Sequence, residues 1–285
     1  MIIKLLSSKD YNPSGQNYGD CILIDTGDEL VVYDCGSEAH AKRVETYMSN
    51  RGYEQAIAVL SHNDADHFDG FNYLVDKGLI SKFYAQLFLK HKDEIIKILN
   101  DGRVNKNSVG KRITEAYDNI AQLSGKVQLE DALIHGEITH GINIVGPDKK
   151  YALETVAKHI KNSEGNTIDS ESTMNAASVQ LSVDLNSENA LLCGDSSFDA
   201  IESKVKDYQV IQLPHHGKPD TAEKIFEAKN KEFLTVYLVS DNTGTSNGGS
   251  DDLKKDGKRL KNTIDGDITY PDISHSPFPT RTLGV

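Results

Sequence analysis

His62, Asp64, Asp66, His67 and Asp69 crowd one short stretch, Ser61-His62-Asn63-Asp64-Ala65-Asp66-His67-Phe68-Asp69-Gly70. Imidazole and carboxylate are the ligands that zinc, iron and manganese share. Four such groups so close cannot all reach one ion without strain, but they can serve two ions a few ångströms apart. The chemistry expected of that pairing is metal-assisted hydrolysis by a metal-activated water. The stretch follows the apolar run Ala56–Leu60, which reads as a buried strand. Sites in α/β proteins commonly lie at such strand ends.

Downstream, two further strand-like runs end in groups of the same kind. Ala190–Asp195 closes on Gly194-Asp195, and Val210–Gly217 closes on Leu213-Pro214-His215-His216-Gly217. A carboxylate can span two cations, so Asp195 is a candidate bridge. His215 and His216 add two adjacent imidazoles at the end of the last run, and on sequence alone the two are interchangeable.

The spacing His62-x-Asp64-x-Asp66-His67 resembles the H-x-[HD]-x-D-H signature of the metallo-β-lactamase superfamily. The fuller phrases resemble the soluble hydrolase domain of the competence protein ComEC and its free-standing relatives. They are S-H-x-D-x-D-H-x-x-G, the hairpin Gly19–Asp25 with Leu30–Gly36, N-x-x-S-V from Asn175, L-L-x-G-D ending at Asp195, and L-P-H-H-G. The resemblance implies an α/β fold, the four-layer αβ/βα sandwich, as one domain over 1–285. It leaves a helical insertion at 86–130 and an irregular C-terminal extension at 246–285 unmatched. It implies metal ligands His62, Asp64, Asp66, His67, Asp195 and His215, with Asp66 and His216 in catalysis and Asp34 and Asn175 supporting the ligands from behind. Many superfamily members have His where Asn175 stands. Two divalent ions are implied, Zn²⁺ foremost, with Mn²⁺ or Fe as alternatives given the oxygen-rich donor set. The implied activity is that of a phosphodiesterase or nuclease. Rival readings are hydrolysis of another ester, thioester, lactone or peptide, and a non-catalytic metal-binding regulatory member.

Composition fits a soluble globular protein. The chain has 285 residues, 38% hydrophobic and 26% charged. Its net charge of −12 argues against a broad cationic face tracking a phosphate backbone. It leaves room for a small-molecule or nucleic-acid phosphodiester neutralised by bound cations. No apolar run is long enough to span a bilayer, so no membrane partner is expected, and the chain reads as cytoplasmic. Cys21, Cys35 and Cys193 each sit in or beside apolar runs and read as reduced core thiols.

Alternation and periodicity supply the elements that position these groups. Strands are expected at Ile2–Ser7, Gly19–Asp25, Leu30–Gly36, Ala56–Leu60, Lys82–Ala85, Glu137–Val145, Asn175–Val183, Ala190–Asp195, Val210–Gly217 and Phe233–Ser240. Helices are expected at His40–Gly52, Phe71–Lys77, His91–Asn100, Val109–Leu123, Tyr151–Lys161, Thr221–Ala228 and Leu253–Leu260. Asn162–Thr173 reads as a polar loop beside the site, and Ile264–Val285 as irregular. His40, His91 and His159 read as surface residues, and His135, His140 and His275 belong to no motif.

Overall fold

A computed structural model of the chain describes residues 1–99, 106–134, 136–161, 167–229, 234–242, 249–254 and 257–272. The strands are β1 (Ile2–Leu5), β2 (Cys21–Asp25), β3 (Leu30–Cys35), β4 (Ala56–Val59), β5 (Ile80–Ala85), β6 (Gln128–Asp131), β7 (Gly136–Thr139), β8 (Ile142–Gly146), β9 (Thr167–Ile168), β10 (Glu171–Ser172), β11 (Gln180–Asp184), β12 (Asn189–Leu192), β13 (Val210–Gln212), β14 (Val236–Val239), β15 (Arg259–Asn262) and β16 (Ile268–Tyr270). They form two seven-stranded sheets, β16-β1-β2-β3-β4-β5-β6 and β15-β14-β13-β12-β11-β8-β7. β9 and β10 make a separate hairpin. Both sheets follow one scheme. Pairing is antiparallel from β16 to β3 and from β7 to β12, then parallel from β3 to β6 and from β12 to β15.

The layers follow from side-chain alternation along buried strands. On β2, Ile22 and Ile24 face the second sheet, while Cys21 and Leu23 face helices. Ile22, Ile24, Val31, Val59, Leu181, Val183 and Leu192 belong to the core between the sheets. α1 (Glu38–Arg51), α2 (Ala65–Asp76), α3 (Lys92–Leu99), α4 (Lys106–Ala116), α5 (Asp118–Gln122) and α6 (Lys149–Lys161) contribute to the core outside the first sheet. The helix Pro219–Ala228 and the short α8 (Phe198–Ile201) cover the second, through Ile201, Ala222 and Ile225. α7 (Thr173–Ala176) is a single turn beside the site. The result is the expected α/β four-layer sandwich, two mixed sheets flanked by helices.

Several local expectations change. The described residues of Leu253–Leu260 are not helical: β15 continues the parallel pairing beyond β14. The 246–285 segment is not irregular throughout, because β16 pairs with β1 through Ile3↔Tyr270 and Leu5↔Ile268. Short strands with charged neighbours, such as Arg259-Leu260-Lys261-Asn262, carry little apolar alternation, and sheet pairing decides them. Glu137–Val145 is two strands around the turn His140-Gly141. α2 begins at Ala65 rather than Phe71, which puts Asp66 and His67 on its first turn. His135, His275, Phe233, and residues 162–166 of the polar loop lie outside the described residues.

His40 is not at the surface. Ser37 caps α1 by accepting the His40 N–H, and this phase places His40 with Ala41, Val44 and Met48 on the buried face. His91 is half-buried, its Nε2 2.7 Å from Asp131 and its Nδ1 3.0 Å from Glu94. His159 is half-buried against Thr173, and His140 is exposed.

Burial, and then Arg43, hold the His40 imidazole down at about 4. The unfolded chain protonates it near about 6.5. Stability from the neutral form is therefore complete above that value and drains away as pH falls towards 4, at up to about 1.4 kcal/mol per pH unit. Urea unfolding of His40→Leu between those pH values is expected to show a shallower decline than the wild type. Equal slopes would contradict this account.

Candidate metal centre

The site lies where β3, β4, β12, β13 and β14 end at one edge of the sandwich. Asp34 is held in the left-handed region at φ 59°. From there its two oxygens serve different partners. Oδ1 accepts the Ser61 N–H at 2.7 Å, and Oδ2 lies 2.8 Å from His67 Nδ1. The loop after β4 and the ring of His67 are thus fixed by one buried carboxylate. Asp64 occupies the N-cap position of α2. Loop and first turn together present His62, Asp64, Asp66 and His67.

Two glycines seat this turn. The Asp20 N–H donates to the Asp66 carbonyl at 2.9 Å. A Cβ on Gly36 would stand 1.8 Å from that carbonyl oxygen, and one on Gly19 2.2 Å from it. No side chain fits between these backbones.

Asp195 follows β12 and is buried. Four imidazoles surround its carboxylate through Nε2: His67 at 3.4 Å, His215 at 3.8 Å, and His62 and His216 each at 3.9 Å. Each ring is held from behind at Nδ1. His62 Nδ1 lies 3.0 Å from Ser61 Oγ and 3.3 Å from Ser178 Oγ. His67 has Asp34, His215 has Glu171 Oε2 at 2.5 Å, and His216 has Asp20 Oδ1 at 3.0 Å and the Ser240 carbonyl at 3.1 Å. An oxygen behind Nδ1 aims Nε2 and raises its basicity, as behind metal-ligating histidines. Asn175, on α7, donates to Asp195 Oδ2 at 3.2 Å.

His215, His216 and Gly217 all adopt positive φ, 52°, 57° and 82°. Successive left-handed residues turn the chain sharply after Pro214, and both rings reach the site from adjacent positions. His216 Nε2 sits 3.2 Å from Asp66 Oδ2, which also accepts from Asn242 Nδ2 at 2.8 Å.

The electrostatics demand positive charge. Burial raises the Asp195 carboxyl, but His67, His216 and His215 outweigh it and hold it well below its ordinary value. Burial likewise opposes the imidazolium of His67, yet Asp195, Asp34 and Asp66 push it well above the usual range. His216 is raised in the same sense, against burial, chiefly by Asp195 and Asp20. Buried His62 Nε2, His67 Nε2, Asp195 Oδ1 and Asp20 Oδ2 have no hydrogen-bond partner. Polar atoms so placed are expensive unless something binds them. One ligand atom each from Asp20, His67, Asp195 and His216 lies within 4.8 Å of the others. The donor set fits a divalent cation of the zinc, manganese or iron kind.

A family model described as the metallo-beta-lactamase superfamily matches residues 14–150. Over residues 14–150, just under half of its length, the chain is similar to that superfamily. It has a buried His/Asp cluster that could hold a metal ion, as a metal-dependent hydrolase requires. No curated protein matches the sequence. Solved structures similar in fold include the metallo-beta-lactamase fold protein YhfI from Bacillus subtilis, with 13% identity, TM-score 0.56, and 95% of this chain and 99% of that one covered. Others are a diphosphatase from the PhnP family, with 13% identity, TM-score 0.51 and 95% and 98% covered, and the metal-dependent hydrolase Tm1679, with 14%, 0.52, and 94% and 98%. At such identities the likeness speaks to the fold alone. Among the described residues no helix is long and apolar enough to cross a membrane.

All the residues singled out from the superfamily motifs converge. His62, Asp64, Asp66, His67, Asp195, His215 and His216 surround one centre, with Asp34 and Asn175 behind it. Asp64 is the most open of them, its side chain 45% exposed and 3.5 Å from His62 Nε2. Sequence reasoning missed Asp20, Glu171, Ser178 and Asn242. Asp20 stood in the Gly19-Asp20 phrase and could have been found there. Glu171 arrives on the β9–β10 hairpin, whose Asp169-Ser170 turn has φ 53° and 65°, and no pattern in the polar loop marks it.

Gly36→Ala is expected to lower stability by about 1–3 kcal/mol, the usual range for overpacking, and to reduce bound metal because the Asp66 turn must move. Gly110→Ala, inside α4 with its nearest contact at 3.5 Å, is expected to leave both intact. Urea denaturation and elemental analysis of the two variants check this; equal behaviour would contradict the packing argument.

Proposed function

We propose that this superfamily hydrolase cleaves small phosphate esters or anhydrides with two divalent cations, Zn²⁺ foremost and Mn²⁺ or Fe as alternatives. The observation that carries the reading is the ring of four Nε2 atoms around Asp195, with unpartnered ligand atoms among the carboxylates and imidazoles there. In this reading His62, Asp64 and Asp195 hold one cation. Asp66, His67, Asp195 and His216 hold the other. Asp20, Asp34 and Asn175 fix the orientation of His216, His67 and Asp195.

The roles first given to His215 and His216 are exchanged. His216 is fully buried and touches Asp66, as a ligand would. His215 leans on Glu171, which also contacts Lys218 and Thr221. That pairing suits a proton donor to the leaving oxygen: Glu171 stabilises the imidazolium that gives up its proton, and Nε2 delivers it. Divalent cations in such a centre supply acidification of water and neutralisation of charge on the electrophile. Asp66 and Asn242 border the water's approach and can orient it by hydrogen bonds.

The substrate class follows from charge and analogy. The similarly folded PhnP-family protein is a diphosphatase by name. The ComEC-like phrases favour a nuclease instead, but the net charge of −12 favours a small substrate over a polymer. Fold likeness alone fixes substrate poorly.

Elemental analysis is expected to find close to two metal equivalents in the wild type, and fewer in Asp195→Ala and His67→Ala. The metal-loaded wild type is expected to hydrolyse bis(para-nitrophenyl) phosphate and to leave DNA intact. Substoichiometric metal that neither substitution changes would overturn the centre. Salt-sensitive DNA cleavage would move the substrate to nucleic acid.

Glu171→Gln is expected to lower kcat by about 100-fold, the lower part of the range for general acid catalysis, with metal content unchanged. Loss of metal in that variant, or an unaltered kcat, would refute the proton-donor role of the pair.

A further inference from the structure

A cavity of about 380 Å³ opens between α4 and α6, lined by Arg112, Glu115, Ala116, His159 and Ile160. Two hydrogen-bond links tie it to the metal centre. Asn63, between His62 and Asp64, donates from Nδ2 to the Ala116 carbonyl at 2.6 Å, and Asn119 Nδ2 returns a bond to the Asn63 carbonyl at 2.9 Å. On the other side His159 Nδ1 lies 3.0 Å from Thr173 Oγ1. Thr173 opens the turn that carries Asn175, the donor to Asp195. The cavity is therefore tied by hydrogen bonds to the loop that carries His62 and Asp64 and to the turn that carries Asn175.

Its one strong cation is Arg112. Nη1 donates to the Ile160 carbonyl at 2.5 Å, near the end of α6. Among the described residues this is the only hydrogen bond of a guanidinium with five N–H donors, and no carboxylate pairs with it. Glu115, the acidic lining residue, is 3.7 Å from Lys111 instead. An arginine anchored at one corner, with the rest of its planar fork uncommitted, suits bidentate recognition of phosphate or carboxylate.

We propose that Arg112, with His159 beside it, binds a second, non-reacting anionic group of the substrate, a phosphate or carboxylate distal to the bond cleaved. This rests on the phosphate-ester reading and narrows it to substrates carrying two anionic centres. The group enters between α4 and α6 while the scissile phosphate lies against the metal centre. Arg112 acts as a specificity residue: it lowers KM for doubly anionic substrates and leaves the chemical step alone.

Arg112→Gln keeps an N–H donor for the Ile160 carbonyl and removes the charge. With thymidine 5′-(para-nitrophenyl phosphate) bearing a 3′-phosphate, the variant is expected to raise KM by about tenfold or more, with kcat and thermal stability unchanged. With bis(para-nitrophenyl) phosphate, which has no second anion, KM is expected to stay the same. Equal changes for both substrates, or no change for either, would overturn the subsite. If the metal-loaded wild type cleaves neither compound, the phosphate-ester reading fails by itself. The subsite is then decided by calorimetric titration of thymidine 3′,5′-bisphosphate onto metal-free protein. Saturable binding that weakens in Arg112→Gln supports it; binding that is absent, or equal in both proteins, overturns it.

Discussion

One buried carboxylate sets the terms for the whole site. Asp195 is nearly closed off from water, and the Nε2 atoms of His62, His67, His215 and His216 stand around it at 3.4–3.9 Å. Removing charges from water is expensive, and attraction repays the expense only where geometry is tight and remaining polar atoms are satisfied. The protein meets the first condition with an oxygen behind each imidazole. It leaves the second to a cation, since several donor atoms have no protein partner. The centre is organised for an ion by its own residues before any ion arrives.

Holding that geometry takes backbone in sparsely populated regions. Asp34, His215 and His216 each have positive φ, and such positions cost on the order of 1–3 kcal/mol apiece. Surrounding structure fixes them. Gln212, fully buried at the end of β13, accepts the Cys193 and Gly194 N–H groups at 2.7 and 2.9 Å and donates to the Leu213 carbonyl at 2.9 Å. One side chain thus locks the Gly194-Asp195 turn to the turn that carries both histidines. Tyr33 spans the sheets, its hydroxyl donating to the Val179 carbonyl at 2.6 Å, and so ties β3 to the chain just before β11.

The inner part of this arrangement was legible in the sequence because its groups sit next to buried strands. Apolar runs announced β2, β3, β4, β12 and β13, and polar residues directly after such runs have few places to go. What escaped was whatever depends on helix phase or distant pairing. His40 seemed exposed because it stands among Lys42, Arg43 and Glu45, but the Ser37 cap sets α1 so that it turns inward. β15 and β16 escaped because their pairing with β14 and β1 spans the fold, and their own residues carry little alternation. Glu171 was invisible for the related reason that a two-residue strand has no period to read.

The missed groups come from different parts of the fold. Asp20 belongs to the inner scaffold, whereas Glu171 comes from the β9–β10 hairpin, and Ala116 and Asn119 come from the helical segment between β5 and β6. These segments lie outside the strands that carry the ligands, yet they touch the site directly: Glu171 at His215, and Ala116 and Asn119 at Asn63. Strand ends constrain the cation-holding residues so tightly that a Cβ on Gly19 or Gly36 would displace them. No comparable close packing constrains Arg112, which is exposed. A fold built this way can keep the strand-end residues fixed while outer segments such as α4, α6 and the β9–β10 hairpin vary around them.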